Sequence, residues 1–296
     1  SCLLLSLLSH LHEMNGVFKT YTSFYKSRMN KIGMYILLTI GAIAMILPFL
    51  WMLSTSLKSS NVTFVLPPKW IPDNPNLDSY RQVFDTVPMG RFFFNSIFVA
   101  AISTFFQVLI CSMAGYAFAR IQFKGREVLF YVYLASLMVP QQVTLTPLFI
   151  MMNMLGWANT YQALILPGIF SAFGTFLMRQ FFQGIPNSIE EAAFIDGAGY
   201  VTIFFRIIIH LAKPVFATLF IFAFMASWNN FLWPLIITTD TTHMTLPLGL
   251  ASLKGRWTTD WNVLMAGTLV SIVPMMFVYI FTQKYIIKGL THTGLK

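Results

Sequence analysis

Amide and indole side chains stand inside the most apolar runs of this sequence. They are Gln141, Gln142, Trp228, Asn229, Asn230 and Trp233. Amides can hydrogen-bond to the hydroxyls of a sugar ring, and aromatic faces can stack on the ring itself. These residues therefore form a candidate solute pathway. The alternative is hydrogen bonding between packed helices, where each pair contributes about 0.6 to 2 kcal/mol. The sequence favours this alternative for any single residue.

The titratable side chains do not form a catalytic or metal-binding pattern. The five histidines are scattered without a His-Glu-x-x-His pair, and Cys2 and Cys111 lack metal-ligand spacing. The ten carboxylates lie almost entirely outside the apolar runs. Because intramembrane ionisable residues usually mark a proton or ion path, their near absence argues against a proton-coupled transporter. We expect no catalytic residue, metal or cofactor in this chain.

Residues 184–213, GIPNSIEEAAFIDGAGYVTIFFRIIIHLAK, carry the most informative local pattern. Ser188 and Glu191 have the spacing of a capping box, and Glu190 also falls in the first turn, where negative charge suits the helix dipole. Gly197 after Asp196 predicts a helix end, because glycine readily adopts the left-handed conformation. The pattern predicts a short helix, a glycine turn and a second amphipathic helix near residues 200–211.

Two interpretations of this segment follow from the spacing alone. Ala192 and Ala193 leave a small surface, so the first helix could seat in the groove of a soluble partner and transmit force to the flanking spans. The alternative is an ordinary amphipathic connector that rests at the headgroup interface.

The same stretch resembles the EAA motif of binding-protein-dependent ABC importer permeases. Glu191-Ala192-Ala193 and Gly197 stand at the family spacing, whereas His210 replaces the usual proline. The proline that usually precedes the fifth span is thus absent at this position, and Pro214 follows. The strings EEAAFIDGAG and SWNNFLWPL are similar to the carbohydrate-uptake permeases, especially the smaller permease subunits of maltose transporters.

The resemblance implies a pair of permease subunits, two ATPase subunits that bind ATP and Mg²⁺, and an extracytoplasmic solute-binding protein. It implies import of a carbohydrate, most simply an oligosaccharide, by alternating access. The implied ATPase-coupling residues are Ser188, Glu190, Glu191, Ala192, Ala193, Asp196 and Gly197. Trp257 and Trp261 would contact the binding protein, with an interfacial aromatic belt as the alternative. The C-terminal tail, residues 284–296, would reach the ATPases.

The elements that must position these residues are membrane helices. Charged residues make up 10% of the 296 residues, against about 25% in ordinary soluble domains. This composition excludes a soluble enzyme, a disordered chain and a disulfide scaffold. The sequence predicts an all-α integral membrane protein, with a tail over residues 1–31 and a transmembrane domain over residues 32–296. The six predicted spans are residues 32–54, 95–118, 128–151, 161–182, 214–238 and 263–287, the third interrupted at Pro140.

The basic residues predict the orientation. They concentrate before the first span and in the short link between the second and third, where Arg120, Lys124 and Arg126 lie. Both termini should therefore be cytoplasmic, in a bacterial inner membrane in contact with lipid. The net charge of +9 is spread between apolar runs, so we expect no nucleic-acid partner.

Two alternatives remain at this point. The chain could belong to the same superfamily but carry another solute, such as a polyamine or a peptide. It could also be a membrane-embedded enzyme acting on a lipid or polysaccharide, which would need polar catalytic groups that the sequence does not bring together.

Overall fold

The computed structural model describes residues 31–59, 69–254 and 259–292, with side chains to Gln283. Its regular secondary structure is helical, apart from one isolated antiparallel bridge between Lys254 and Thr259. The helices in chain order are α1 (Lys31–Ser56), α2 (Asp78–Thr86), α3 (Met89–Arg120), α4 (Arg126–Ala135), α5 (Gln141–Met154), α6 (Tyr161–Ile165), α7 (Ala172–Gln183), α8 (Asn187–Ile195), α9 (Tyr200–Leu211), α10 (Lys213–Trp228), α11 (Leu232–Ile237), α12 (Leu246–Ala251) and α13 (Trp261–His292).

Three of these helices are long and apolar enough to cross a bilayer, namely α1, α3 and α13. Three further candidates are bent pairs, so the described residues offer up to six spans. The pairs are Arg126–Met138 with α5, Tyr161–Gly168 with α7, and α9 with α10, bent by 100°, 42° and 84°.

The positions of the helix breaks agree with the third predicted span and differ from the fifth. The 100° bend lies next to Pro140, where the sequence predicted an interruption. The fifth predicted span, residues 214–238, is wrong as one helix, because α10 ends at Trp228 and α11 begins at Leu232. Pro234 does not cause this break. It lies in the first turn of α11, where its missing N–H would be unpaired in any case.

The α9–α10 bend occurs without a proline at position 210. Ala212 separates the two helices, and Pro214 lies in the first turn of α10. Proline is well accommodated in a first helical turn and poorly in the turns that follow. The break between α9 and α10 therefore lies at Ala212 and needs no proline at position 210.

Helix α3 packs against α7 at very short range. A Cβ at Gly115 would stand 2.7 Å from the Met178 Cβ and 2.9 Å from the Arg179 backbone nitrogen. Gly174 leaves similar space for the Cys111 sulfur. These glycines let the two backbones approach, as small residues commonly do between membrane helices.

Helix α1 has no buried residue in its most apolar window. Leu37 and Met45 are 71% and 76% exposed within this chain. An apolar helix of this kind is stable where lipid or another apolar surface covers it, which agrees with a membrane location.

Candidate functional site

The helix predicted from the Glu-Ala-Ala stretch is α8, but its beginning differs from the prediction. The helix starts at Asn187, directly after Pro186, and no side chain caps it. Ser188 therefore lies within the first turn, and its hydroxyl does not serve as the N-cap. The capping box of Ser188 and Glu191 is wrong because Pro186, with its fixed φ, starts the helix at the next residue.

The end of α8 is a glycine turn at the predicted position. Gly197 has φ of +82°, which side chains disfavour. Its N–H donates to the Phe194 carbonyl at 3.0 Å, and the Ala198 N–H donates to the Ala193 carbonyl at 2.9 Å. This pair of bonds is a Schellman motif, which satisfies two of the last carbonyls of the helix.

Replacement of Gly197 with alanine should destabilise this turn by about 1 kcal/mol, because a left-handed backbone disfavours a Cβ. The new methyl group would meet no atom within 4 Å, so the cost is conformational. Gly199→Ala is the matched control, since Gly199 has equal space and a φ of −84°. Thermal unfolding of the two purified variants measures the difference. Equal destabilisation by both substitutions would contradict the assigned turn.

The two faces of α8 have different environments. Ser188, Glu191, Ala192 and Ile195 are exposed, at the i, i+3, i+4 and i+7 spacing of one helical stripe. We call these four residues the outer stripe of α8. Ile195 is 87% exposed, so the outer stripe includes a large apolar side chain that the described part of the chain does not cover.

The opposite face of α8 carries one glutamate and one alanine of the motif. Glu190 and Ala193 are buried, at 5% and 8% exposure. Ala193 belongs to an apolar cluster with Tyr116, Phe182 and Phe204. The sequence treated the two glutamates and the two alanines as equivalent, but the structure turns one of each inward. Asp196 and Gly197 are exposed at the turn.

Glu190 is held by residues of α3. The Arg120 Nε lies 2.9 Å from the Glu190 Oε1 as an ion pair, although the two groups are not aligned as a hydrogen bond. The Tyr116 hydroxyl donates to the Glu190 Oε2 at 3.2 Å. The sequence did not identify Tyr116, and it treated Arg120 only as an orientation signal. In the sequence, Arg120 was recognisable only as a basic residue at the end of an apolar run.

A second arginine joins α7 to its neighbours. The Arg179 Nη2 lies 2.7 Å from both oxygens of Glu127, at the start of α4, and the Arg179 Nε donates to the Phe118 carbonyl at 3.2 Å. The guanidinium also lies 3.9 Å from the centre of the Phe130 ring, a cation–π contact. These contacts join α3, α4 and α7.

The candidate pathway residues lie at or beside two helix breaks, one between α4 and α5 and one between α10 and α11. Within the described residues they do not line a common cavity. Trp228 and Trp233 are 3% exposed, and their indole N–H groups donate to the carbonyls of Ser271 and Ala163 at 3.3 and 2.8 Å. These bonds are the interhelical contacts of the alternative interpretation. Asn229 is exposed, Asn230 is half-buried, and both stand at the α10–α11 break. Gln141 and Gln142 are exposed at the first turn of α5.

A polar cluster that the sequence did not identify occupies the opposite end of α3. The Asn95 Nδ2 donates to the carbonyls of Thr242 and Met244, each at 2.9 Å. The Ser96 hydroxyl accepts from the Leu246 N–H at 2.6 Å. The loop before α12 is thus fixed to α3.

Trp261 is 42% exposed at the start of α13, whereas Trp257 lies outside the described residues, as do most of the 1–31 tail and the last four residues.

Asp240 in this loop accepts from Asn159 at 2.7 Å and from the Thr242 N–H at 2.9 Å. The Asn159 amide, followed by the backbone donors, holds the pKa of Asp240 below its ordinary value. The carboxylate therefore stabilises the fold fully above the unfolded pKa of about 3.9, and this contribution is lost as pH falls through the lower folded pKa.

Wild type should exceed Asp240→Asn in thermal stability at neutral pH, and the difference should shrink below about pH 4. A difference that stays constant in melting curves down to pH 3 would contradict this role.

The described residues contain no group of three or more His, Cys, Asp or Glu side chains that could hold a metal ion. The arrangement around α8 is a buried ion pair on its inner face and an exposed stripe on its outer face.

Comparison with known proteins identifies the family. Residues 107–292 match the family described as "Binding-protein-dependent transport system inner membrane component". The chain belongs to this family. It is therefore a multi-pass inner-membrane permease component of a transport system, and it is not an enzyme.

Several relatives match nearly the whole chain. The arabinooligosaccharides transport system permease protein AraQ of Halalkalibacterium halodurans is 37% identical over 82% of this chain and 86% of its own length. The sulfoquinovosyl glycerol permease SmoH of Agrobacterium fabrum is 34% identical, over 93% and 96%. The trehalose/maltose permease MalG of Thermococcus litoralis is 34% identical, over 88% and 96%.

A solved structure shows the same fold. It is the crystal structure of a bacterial ABC transporter involved in the import of the acidic polysaccharide alginate, with a TM-score of 0.79 and 23% identity. The match covers 88% of this chain and 97% of the other. The permease fold is thus shared along nearly the full length of both chains.

Proposed function

We propose that this permease is a subunit of an ATP-driven importer for a carbohydrate, and that α8 is its coupling helix. The observation that carries the proposal is the outer stripe of α8, an exposed surface held on a buried anchor in a chain of this family. The importer would contain a second permease, two ATPase subunits and an extracytoplasmic binding protein. The ATPases would hold ATP and Mg²⁺.

The chain would cross the membrane six times, with each bent pair counted as one span. Six crossings place both termini on the same side. The concentration of Lys and Arg beside the first span and between α3 and α4 supports the cytoplasm as that side. This orientation would put α8 on the cytoplasmic side too, because α8 contacts the C-terminal end of α3, and ATPases could then reach it.

Glu191 and Ala192 would enter the ATPase surface, while Gly197 sets the direction in which the chain leaves α8. A shift of α8 would pass through α9 to α10 and open the pathway alternately to either side. ATP binding shifts this equilibrium only if the ATPases bind the two states of the permease with different affinity.

The carbohydrate assignment rests on the relatives, whose names refer to arabinooligosaccharides, lactose, diacetylchitobiose and trehalose/maltose. Their agreement favours a sugar over a peptide or a polyamine. Within the chain, the exposed amides at the two breaks, Gln141, Gln142 and Asn229, are the proposed solute contacts. Trp257, Trp261 and residues 284–296 remain proposed contacts to the binding protein and to the ATPases.

The test is uptake by the full complex, reconstituted in proteoliposomes with its own second permease, ATPases and binding protein. The probes are an arabinooligosaccharide, lactose and trehalose, with a tripeptide and spermidine as controls. We expect ATP-dependent uptake of at least one sugar that requires the binding protein. Uptake of only the peptide or the polyamine would overturn the carbohydrate assignment, and uptake without ATPases would overturn the mechanism.

A further inference from the structure

The two adjacent glutamates of the motif have opposite environments. The Glu190 side chain is 7% exposed and faces Arg120, whose side chain is 9% exposed. Glu191 is exposed on the outer stripe of α8. Neighbouring positions on a helix point about 100° apart, so one glutamate cannot replace the other. Only Glu191 is available to a partner protein.

Arg120 contacts every part of the chain that leads into α8. Its Nη2 donates to the carbonyl of Phe182 near the end of α7, at 2.7 Å, and to the carbonyl of Ile185 in the link that follows. Its Nη1 donates to the side chain of Asn187, the first residue of α8, and its Nε faces Glu190 one turn later. The planar guanidinium can therefore hydrogen-bond three acceptors while its Nε forms an ion pair with Glu190, an arrangement that a lysine ammonium cannot reproduce.

These contacts connect α8 directly to α3, which is about 70 residues away in sequence. Along the chain itself, α8 is joined only to α7, through residues 184–186, and to α9, through the turn at Gly197. Tyr116 of α3 also contacts α8, through its hydrogen bond to Glu190 and through the apolar cluster that contains Ala193. α3 in turn packs closely against α7 and α10, so it is well placed to distribute the movement.

We propose that Arg120 and Glu190 form an internal clamp that positions α8 on α3 and carries its movement into the transmembrane helices. Tyr116 completes the clamp through its hydrogen bond to Glu190. This inference rests on the proposed role of α8 in coupling. It assigns Glu190 and Arg120 as positioning residues that do not touch the ATPases, in contrast to Glu191.

The first test measures the clamp in the full chain, in lipid nanodiscs of phosphatidylethanolamine and phosphatidylglycerol, without ATPases. Glu190→Gln removes the charge and keeps the shape, and Glu191→Gln is the matched control on the outer stripe. We expect amide exchange in α8 to become about tenfold faster in Glu190→Gln, because local opening no longer has to break the ion pair. Glu191→Gln should exchange at the wild-type rate. Unchanged exchange in Glu190→Gln would overturn the clamp.

The second test separates positioning from general stability in the reconstituted complex. The readout is the number of ATP molecules hydrolysed per solute molecule imported, with the sugar that the wild type imports. We expect this ratio to rise about fivefold or more in Glu190→Gln while the ATPases still co-purify at the wild-type level. A wild-type ratio, or loss of ATPase binding, would overturn the positioning role.

Two further outcomes are distinguishable. If Glu190→Gln does not fold, Tyr116→Phe removes only one hydrogen bond, and we expect a smaller change in the same direction in both measurements. No change in either measurement would overturn the clamp. If the wild-type complex imports no solute with ATP, the proposed function fails, whereas the exchange experiment still decides whether the clamp exists.

Discussion

Replacement of Glu191 with lysine is expected to lower ATP-driven uptake by the reconstituted complex by at least about tenfold. Glu191 is exposed in the middle of the outer stripe of α8, between Ser188 and Ile195. The substitution would reverse the charge that α8 presents to the ATPases at the proposed docking surface. A penalty of about 1.4 kcal/mol is enough for a tenfold loss of affinity, and like charges across an interface can cost more.

The measurement is co-purification of the ATPases with the tagged permease, together with uptake of the transported sugar. Asp85→Lys is the matched control, because it makes the same change in charge on α2, at an exposed position far from α8 in sequence. The control should bind the ATPases and import solute like the wild type. If Glu191→Lys does the same, α8 is not the coupling helix.

The sequence predicted α8 well because its signals are local. A short run of helix formers followed by Asp196 and Gly197 is enough to indicate the helix and its left-handed end. The start was wrong because two local signals competed. The Ser188–Glu191 spacing favoured a later start, whereas Pro186 at the N-cap position starts the helix at Asn187.

The side chains that contact Glu190 could not be predicted from local sequence signals. Glu190 and Glu191 both follow Ser188 in the first turns, and nothing in one sequence tells which of them faces the bundle. That choice depends on where α3 ends in space, with Arg120 and Tyr116 beside α8. Contacts between residues so distant in the chain are properties of the tertiary structure and leave little local trace.

The broken spans show a similar limit. Proline was the obvious breaking signal, and it was correct near Pro140. Pro234 marks no break of its own, because α10 already ends at Trp228 and Pro234 lies in the first turn of α11. Pro147 and Pro274 lie inside α5 and α13, and both helices continue. Neighbouring helices can satisfy a freed carbonyl within a membrane protein, so proline alone does not determine a break.

The substitution expected to destabilise the fold most is Gly115→Leu. A Cβ at Gly115 already stands closer to Met178 and Arg179 than atoms normally approach, and one of these contacts is to backbone. Backbone cannot rotate aside, so α3 and α7 would have to separate. Overpacking of this kind costs about 3 kcal/mol, toward the upper end of measured values.

Gly90→Leu provides the matched control, because Gly90 lies in the first turn of the same helix and has no atom within 4 Å of an added Cβ. We expect thermal unfolding in detergent to show a large loss for Gly115→Leu and little change for Gly90→Leu. Separation of the helices would also pull the Arg179 Nε on α7 away from the Phe118 carbonyl on α3. Equal stability of the two variants would mean that α3 and α7 do not cross at Gly115, and the position of the Arg120 clamp, about one and a half turns further along α3, would then be wrong as well.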